Sequence, residues 1–261
     1  MERTHETPIK GPNHDLPTTI ARWGLVATFL AFWEFGAQFG FIDPFYFSAP
    51  TRITHTLYLW TIQGMLFRHL WITLAEASSG FLAGLFLGIA CGFLFAANPK
   101  LDAILQPFLV ILNAMPRIAF APLIILWFGL GFLSKVVIVV SLVFFVVFFN
   151  TYRGFKEINP AILKSTRVMG ATHTQMLFHV YLPATLAWTF ASIRISVGFS
   201  IIAAVLGEYI GASAGIGYLI DNAQANFDAT GVMAGLAILT SAVAILDGIL
   251  LTIERRYAIR S

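Results

Sequence analysis

The sequence has few charged residues, a single cysteine and no nucleotide-binding motif. Charged side chains make up 11% of the 261 residues, whereas soluble domains carry about 25%. Cys91 is the only cysteine, so no disulfide framework exists. The phosphate-loop pattern G-x-x-x-x-G-K-[ST] is absent, and the six histidines show no metal-ligand spacing. These absences disfavour a soluble domain, nucleotide hydrolysis by this chain and a metal site.

Apolar residues dominate what is present. They make up 58% of the chain, which includes 25 phenylalanines. Apolar runs of ~20 residues cross the ~30 Å hydrocarbon layer as helices, because lipid offers no partner for exposed backbone groups. The pattern predicts an all-α polytopic membrane protein with about six spans, at residues 23–41, 70–97, 102–128, 134–151, 186–206 and 232–253.

The polar start of the chain predicts a flexible tail over residues 1–22, followed by one membrane domain over residues 23–261. Basic residues predict the orientation, because they concentrate on the cytoplasmic side of membrane proteins. With both termini cytoplasmic, the outer connections hold only three of them, Arg52, Arg68 and Lys135. The basic residues cluster at span ends and show no pattern typical of nucleic-acid binding.

The connection at 43–69 is longer than a turn. Its apolar positions predict an amphipathic helix in the outer membrane interface, with a contact surface for an external partner as the alternative. The positions are His55, Leu57, Leu59, Trp60, Ile62, Leu66 and Phe67.

A stripe of glycines in the second span predicts close helix packing. Gly80, Gly84, Gly88 and Gly92 recur at every fourth position, so another backbone can approach this face closely. Packing within one chain is the expected use, and a dimer seam is the alternative.

Prolines and charges mark the third and fifth spans. Pro116 and Pro122 predict a broken third span, and Arg117 lies beside the break. Arg117 and Arg194 either pair with acids of the same bundle or leave a positive lining for an anionic solute. The available acids are Glu34, Glu76 and Asp247.

The segment 159–183 is the longest basic and polar interruption between spans. Asn159 and Pro160 predict the start of a helix, and Gly170 predicts its end. Thr172 and Gln175 have the spacing of a capping box that begins a second short helix, which Pro183 is expected to limit. The segment therefore predicts a helix–glycine–helix hairpin outside the lipid.

This hairpin resembles the cytoplasmic coupling loop of ABC importer membrane subunits, whose pattern is E-A-A-x-x-x-G followed by Leu-Pro. Lys164, Ser165 and Thr166 stand at the E-A-A places. The resemblance implies a two-helix coupling hairpin that contacts the ATPase through Ile162, Lys164, Ser165, Thr166, Arg167, Met169, Gly170, Ala171, Leu182 and Pro183.

Motifs along most of the chain are similar to the nitrate, sulfonate and taurine permease subgroup. They are Pro116–Ala119, Pro122–Leu123, Leu126–Gly131, Ser134–Lys135, Asn150–Thr151, Gly154, Glu208, Gly215, Gly217–Ile220 and Glu254–Arg256. Glu76 stands where a basic residue is expected, and Ala187 where a second proline is common. The candidate path residues are Asn113, Pro116, Arg117, Asn150, Arg194 and Ser200.

The resemblance implies a type I ABC importer fold in the bacterial inner membrane. Its expected partners are a second copy of the chain, two ATPase subunits, an extracytoplasmic binding protein and membrane lipid. No cofactor is expected in this chain, since the ATPases bind ATP and Mg. The expected solute is a small organic anion, such as a sulfonate or taurine, or nitrate. The alternatives are a neutral or cationic heterocycle such as a pyrimidine precursor, and a secondary transporter that works without ATP.

Overall fold

The computed structural model describes residues 16–258, and within this range all regular structure is helical. Short 3₁₀ and π segments at Arg117–Phe120 and Leu177–Tyr181 join longer helices. The α-helices are α1 Leu16–Gln38, α2 Pro44–Phe47, α3 Pro50–Ile62, α4 Met65–Ala97, α5 Pro99–Ala114, α6 Ala121–Phe128, α7 Phe132–Lys156, α8 Pro160–Val168, α9 His173–Met176, α10 Leu182–Ile210, α11 Ile216–Ala225 and α12 Ala229–Ala258.

Four helical stretches in the described range are long and apolar enough to cross a membrane. They are Met65–Ala97, Phe132–Lys156, Trp188–Ile210 and Ala229–Thr252. They contain nearly all of the predicted second, fourth, fifth and sixth spans. The first helix begins at Leu16, before the predicted start at Trp23. The greater part of the predicted tail, residues 1–15, lies outside the described residues.

The glycine stripe of α4 lies against α7 of the same chain. A Cβ added to any of the four glycines would come within 2.5 to 2.9 Å of a Cβ on α7. The α7 partners are fully buried, so little space remains between the helices. This contact excludes the alternative use of the stripe as a dimer seam. The pairs are Gly80 with Val139, Gly84 with Val143, Gly88 with Val147 and Gly92 with Thr151.

The order of these contacts fixes the path of the third span. Gly80 meets Val139 at one end of the seam, and Gly92 meets Thr151 at the other, so α4 and α7 run in the same direction. The chain between them must therefore return across the bundle, and α5 and α6 are the helices that carry it back.

The return segment is broken as predicted, but only one proline breaks it. Helix α5 ends at Ala114, and Pro116 separates it from the 3₁₀ turn that follows. Pro122 lies in the first turn of α6, where a missing N–H is tolerated. Pro107 lies inside α5, which continues past it.

Helix α10 packs antiparallel to α7 and completes the core. Gly154 of α7 meets Trp188 at the start of α10, and Gly207 near its end meets Ile138. The buried side chains at the centre come from α4, α6, α7 and α10, and include Ala77, Ala121, Ile138, Val143 and Ala204.

The predicted helix between the first two spans is present as α3. Glu34 of α1 accepts hydrogen bonds from the Thr51 N–H and hydroxyl at 3.0 and 2.9 Å, so it caps the N-terminal turn of α3. Leu57 and Trp60 pack against the buried cluster that α11 and α12 form. Leu66 and Phe67, expected in the same helix, belong to α4, because Gly64 turns the chain with a φ of 73°.

The glycine seam predicts a specific pattern of stability. Gly88→Ala brings a Cβ within 2.8 Å of the Val147 Cβ and 2.9 Å of the Phe144 carbonyl. Such overpacking costs about 1–3 kcal/mol, so the melting temperature of the purified chain is expected to fall. Gly198→Ala in α10 is the control, because no atom lies within 4 Å of its added Cβ. Equal melting temperatures for both variants would contradict the seam.

Candidate coupling hairpin and transport path

The first arm of the hairpin begins at the predicted cap. The Asn159 side chain accepts a hydrogen bond of 2.9 Å from the Ala161 N–H, and Pro160 occupies the first helical position. This cap serves a backbone donor that has no partner inside the helix. Helix α8 therefore starts at a defined residue.

Gly170 makes the turn between the arms. Its φ is 83°, the left-handed region that glycine enters without a steric penalty. The Ala171 N–H then donates to the Thr166 carbonyl at 3.2 Å. No atom lies within 4 Å of a Cβ added at Gly170, so the glycine is required for its backbone angle rather than for space.

The second arm begins with the predicted capping box. The Thr172 N–H donates to Gln175 Oε1 at 2.9 Å, and the Gln175 N–H donates to the Thr172 hydroxyl oxygen at 3.3 Å. The side chain of each residue thus accepts a hydrogen bond from the backbone N–H of the other, which has no partner inside the helix.

The expectation that Pro183 limits the second arm is wrong. The chain passes from α9 through the π turn Leu177–Tyr181 directly into α10. Pro183 lies in the first turn of α10, and the wider π turn before it absorbs the loss of its N–H. The second arm and the fifth span therefore form one helical rod.

The hairpin tip exposes apolar side chains. Val168 is 88% exposed, Met169 85% and Ile162 50%. Thr166, Met169 and Gln175 line a surface groove of about 360 Å³. Val168 was missed by the sequence reasoning, although its apolar side chain two residues before Gly170 was the available signal.

The polar residues at and next to the E-A-A places divide into two groups. The hydroxyls of Ser165 and Thr166 donate to the Ile162 carbonyl at 3.1 and 2.7 Å, so they serve their own helix. Lys164 and Arg167 are exposed. Leu182 and Pro183 lie at the start of α10, beyond the tip of the hairpin.

The base of the hairpin is tied to α5 and α7. The Asp102 carboxylate accepts hydrogen bonds from Tyr152 and Lys156 at the C-terminal end of α7. The rings of Phe155 and Tyr181 stack with centroids 4.2 Å apart. These long-range contacts join residues whose sequence patterns did not point to each other.

The two intramembrane arginines have different surroundings. Arg194 forms a bidentate ion pair with Asp247 at 3.0 and 3.2 Å, as the neutralising interpretation predicts. The Arg117 guanidinium lies 4.2 Å from the Phe145 ring centroid and donates to the Leu112 carbonyl at 3.0 Å. Glu34 caps α3 rather than pairing with either arginine.

The candidate path residues do not form one cluster within the chain. Arg117 lines a cavity of about 180 Å³ with Phe120, Ser141 and Phe145. Ser200 lines a different cavity of about 390 Å³, and its hydroxyl donates to the Val197 carbonyl at 2.7 Å. The Asn150 amide donates to the Val146 carbonyl at 2.8 Å, and Pro116 is exposed. The Asn113 side chain lies outside the described part of the chain.

Three ionisable groups that the sequence reasoning separated meet where α4 packs against the first turn of α7 and the last turn of α10. Glu76, Lys135 and Glu208 are 3%, 0% and 1% exposed. Lys135 was assigned to a solvent connection, but its ammonium is buried and donates to the Leu130 and Gly211 carbonyls, both at 2.5 Å. Glu208 was also assigned to a connection, and it lies in the last turn of α10.

The loop after α10 contains the sequence Gly-Ala-Ser-Ala-Gly at 211–215, which has the spacing of a hydrolase nucleophile elbow. That elbow requires a turn from a strand into a helix. Here the loop joins α10 to α11, so the spacing does not indicate a catalytic serine. No group of three or more metal-ligating side chains occurs within the described range.

Residues 84–259 match the family described as the binding-protein-dependent transport system inner membrane component. The chain belongs to this family. It is 31% identical to the putative aliphatic sulfonates transport permease protein of Bacillus subtilis, over 89% of this chain and 84% of the relative. It is 34% identical to the formylaminopyrimidine transport permease protein of Halalkalibacterium halodurans, over 81% and 84% of the two chains.

The fold also matches a solved ABC transporter. The inward-facing methionine transporter MetNI superposes with a TM-score of 0.65 at 22% identity, over 75% of this chain and 97% of that one. Membership of the family and the likeness to these relatives identify the chain as the permease subunit of an ABC importer, a non-catalytic transport component of the inner membrane. Membership implies ATPase and substrate-binding partners, and it decides against a secondary transporter.

Proposed function

We propose that two copies of this permease form the path of an ATP-driven importer for a small organic anion, and that the 159–183 hairpin couples it to two ATPase subunits. The observation that carries the coupling role is the continuity of the second arm with α10. At ~1.5 Å per residue, the rod from His173 to Ile210 is roughly 55 Å long. The hydrocarbon layer is ~30 Å thick, so a large part of the rod extends beyond it.

A rod of this kind transmits displacement. Rigid-body movement of helices is one way in which a displacement reaches a distant site. The π turn and Pro183 are the positions where this rod bends most readily. In the proposed mechanism they stay stiff, and the far part of α10 follows when an ATPase moves the tip at Gly170. The stacked rings of Phe155 and Tyr181 link the same motion to the end of α7.

The tip has the chemistry of a docking element. Ile162, Val168 and Met169 offer apolar area for an ATPase cleft, and burial of such area is favourable at about 25 cal/mol per Å². Lys164 and Arg167 beside them suit acidic residues at the rim of that cleft. In this arrangement the ATPase binds ATP and Mg, and this chain binds neither.

The hairpin also sets the proposed orientation. Lys100, Lys156, Lys164 and Arg167 lie at the same end of the bundle as Asp102 and the hairpin base. A cytoplasmic assignment of this end agrees with the positive-inside rule. It places both termini in the cytoplasm and the 211–217 loop outside, where an extracytoplasmic binding protein delivers the solute.

Arg117 supports an anionic solute. Arg117 lines a cavity, whereas Arg194 forms an ion pair with Asp247. A guanidinium in a partly desolvated wall recognises carboxylate or sulfonate oxygens through paired hydrogen bonds. The sulfonate relative in Bacillus subtilis agrees with this class of solute.

A heterocyclic solute is the second candidate. Phe120 and Phe145 line the same cavity as Arg117, and flat rings stack favourably on aromatic side chains. The formylaminopyrimidine relative supports this alternative.

The coupling role predicts the effect of a charge at the tip. Met169→Glu puts a carboxylate where an apolar cleft is expected, so co-purification of the ATPase with the permease should fall at least ~10-fold, about 1.4 kcal/mol. Phe227→Glu is the matched control. Phe227 is also a highly exposed apolar residue, at 79%, and it lies between α11 and α12, at the end of the bundle far from the hairpin. Equal recovery of the ATPase with both variants would refute the coupling role.

The solute class is tested with Arg117→Met in the reconstituted complex with its binding protein. The substitution keeps much of the side-chain length and removes the charge. Sulfonate-stimulated ATPase activity should fall at least ~10-fold, about 1.4 kcal/mol, while the complex still assembles. Arg52→Met is the control, because Arg52 is exposed on α3.

Unchanged sulfonate stimulation, with loss of stimulation by a pyrimidine, would favour the heterocycle as the solute. Loss of assembly would show that Arg117 is a structural residue.

A further inference from the structure

The outer end of the bundle contains a buried cluster of charges that the transport role does not explain. Glu76 of α4, Lys135 of α7 and Glu208 of α10 are all less than 4% exposed. Each ion removed from water loses several kcal/mol of hydration. A cluster of this kind is retained only when its hydrogen bonds and charges balance.

Glu208 has the surroundings of an ionised carboxylate. Its Oε1 accepts a hydrogen bond of 2.7 Å from the Thr73 hydroxyl, and its Oε2 accepts one of 2.7 Å from the Gly217 N–H. Donors therefore serve both oxygens, and such bonds favour the charged form. Gly217 has no room for a side chain, because an added Cβ would come within 2.7 Å of the Glu208 Cβ.

Glu76 has different surroundings. Its Oε2 is buried, and no donor group of the described chain reaches it. Glu76 lies one turn beyond Thr73 on the same face of α4, and Thr73 bonds to Glu208, so the Glu208 carboxyl is the neighbouring polar group. Two ionised carboxylates repel each other at close range, whereas an acid and a carboxylate form a strong hydrogen bond. A proton on Glu76 therefore gives the buried oxygen a partner.

The charge balance of the cluster also favours a proton on Glu76. Lys135 is the cation of the cluster, and its ammonium bonds to the Leu130 and Gly211 carbonyls rather than directly to a carboxylate. Two carboxylates and one ammonium would leave a net negative charge in the interior. One proton on the carboxyl pair makes the cluster neutral.

The cluster is attached to the loop that follows α10. The Ile216 N–H donates to the Thr73 hydroxyl oxygen at 2.9 Å, and the Gly215 N–H donates to His69 Nδ1 at 3.0 Å. Together with the Gly217 N–H on Glu208, three consecutive backbone donors are held by α4 and α10. The groups that face the carboxyl pair are thus His69 and Thr73 from α4 and Lys135 from α7.

We propose that Glu76 is a carboxylic acid that donates its proton to ionised Glu208, and that this shared proton fastens the 211–217 loop to α4. Glu76 acts through Glu208 and is a positioning residue for the outer loop. This carboxyl pair lies near the end of α10 that is far from the hairpin. The experiments that test it need no transported solute. Its failure would leave the proposed transport role intact.

Two isosteric substitutions separate the roles of the two carboxyl groups. In Glu76→Gln the amide N–H₂ replaces the acid as a donor to Glu208, so the loop stays closed. In Glu208→Gln the new N–H₂ faces the Gly217 N–H or the Thr73 hydroxyl, and at least one accepted hydrogen bond is lost. The loop should therefore open only in the second variant.

Maleimide labelling at neutral pH measures this opening. Cys91→Ser removes the native thiol, and Ala214→Cys adds a reporter at a half-buried position in the loop. The labelling rate of the detergent-purified chain should change less than about twofold with Glu76→Gln and rise at least ~10-fold with Glu208→Gln, by the arithmetic of local opening. An equal rise with both substitutions would overturn the proposal.

Infrared difference spectra test for the proton itself. The parent protein at neutral pH should show the carbonyl stretch of a protonated carboxylic acid, and Glu76→Gln should remove it. Glu34→Gln is the matched control, because Glu34 accepts hydrogen bonds from Thr51 and is expected to be ionised. A spectrum in which Glu76→Gln removes only carboxylate bands would overturn the proposal, whatever the folding of the Glu208 variant.

Discussion

The close contact between α4 and α7 is the constraint on which the rest of the structure depends. Four glycines let the two helices approach until Cβ atoms of α7 fill the space where side chains of α4 would lie. In lipid, where apolar association gains nothing from water, such close packing supplies most of the attraction between helices. The parallel direction of the pair then forces the intervening segment to cross back, and Pro116 and Arg117 lie in that returning segment.

The same contact fixes both ends of the bundle. The first turn of α7 brings Lys135 into the buried cluster with Glu76 and Glu208. Its last turn brings Lys156 to Asp102 at the hairpin base. Helix α10 lies antiparallel to α7 and reaches from the hairpin to the 211–217 loop. A continuous helical segment therefore connects the hairpin to the opposite end of the bundle.

Features encoded by neighbouring residues could be predicted from the sequence. The Asn159 cap, the left-handed Gly170 and the Thr172–Gln175 capping box each depend on residues within a few positions of one another. Four of the spans follow from apolar length alone. Order and spacing of short motifs were sufficient to indicate the permease family, which the match over residues 84–259 establishes.

Features that depend on distant partners could not be predicted. Lys135 and Glu208 lie at the ends of apolar runs, where a charge normally faces water, and only the packing of three helices buries them. Pro183 is a common helix terminator, and the π turn that lets α10 continue past it has no simple sequence signal. Whether Arg194 paired with Asp247 or with another acid depended on the contact of α10 with α12.

The second arm of the hairpin and α10 are proposed to move as one rod. Pulsed electron paramagnetic resonance tests this movement by measuring the distance between spin labels at exposed Thr174 and Phe199. Labelled chains are diluted into unlabelled copies in the reconstituted complex, so that pairs within one chain dominate. If the rod is rigid, the distance between the two labels stays constant between nucleotide-free and ATP-bound states. A distance that changes when ATP binds would show a hinge at the π turn and exclude a rigid rod.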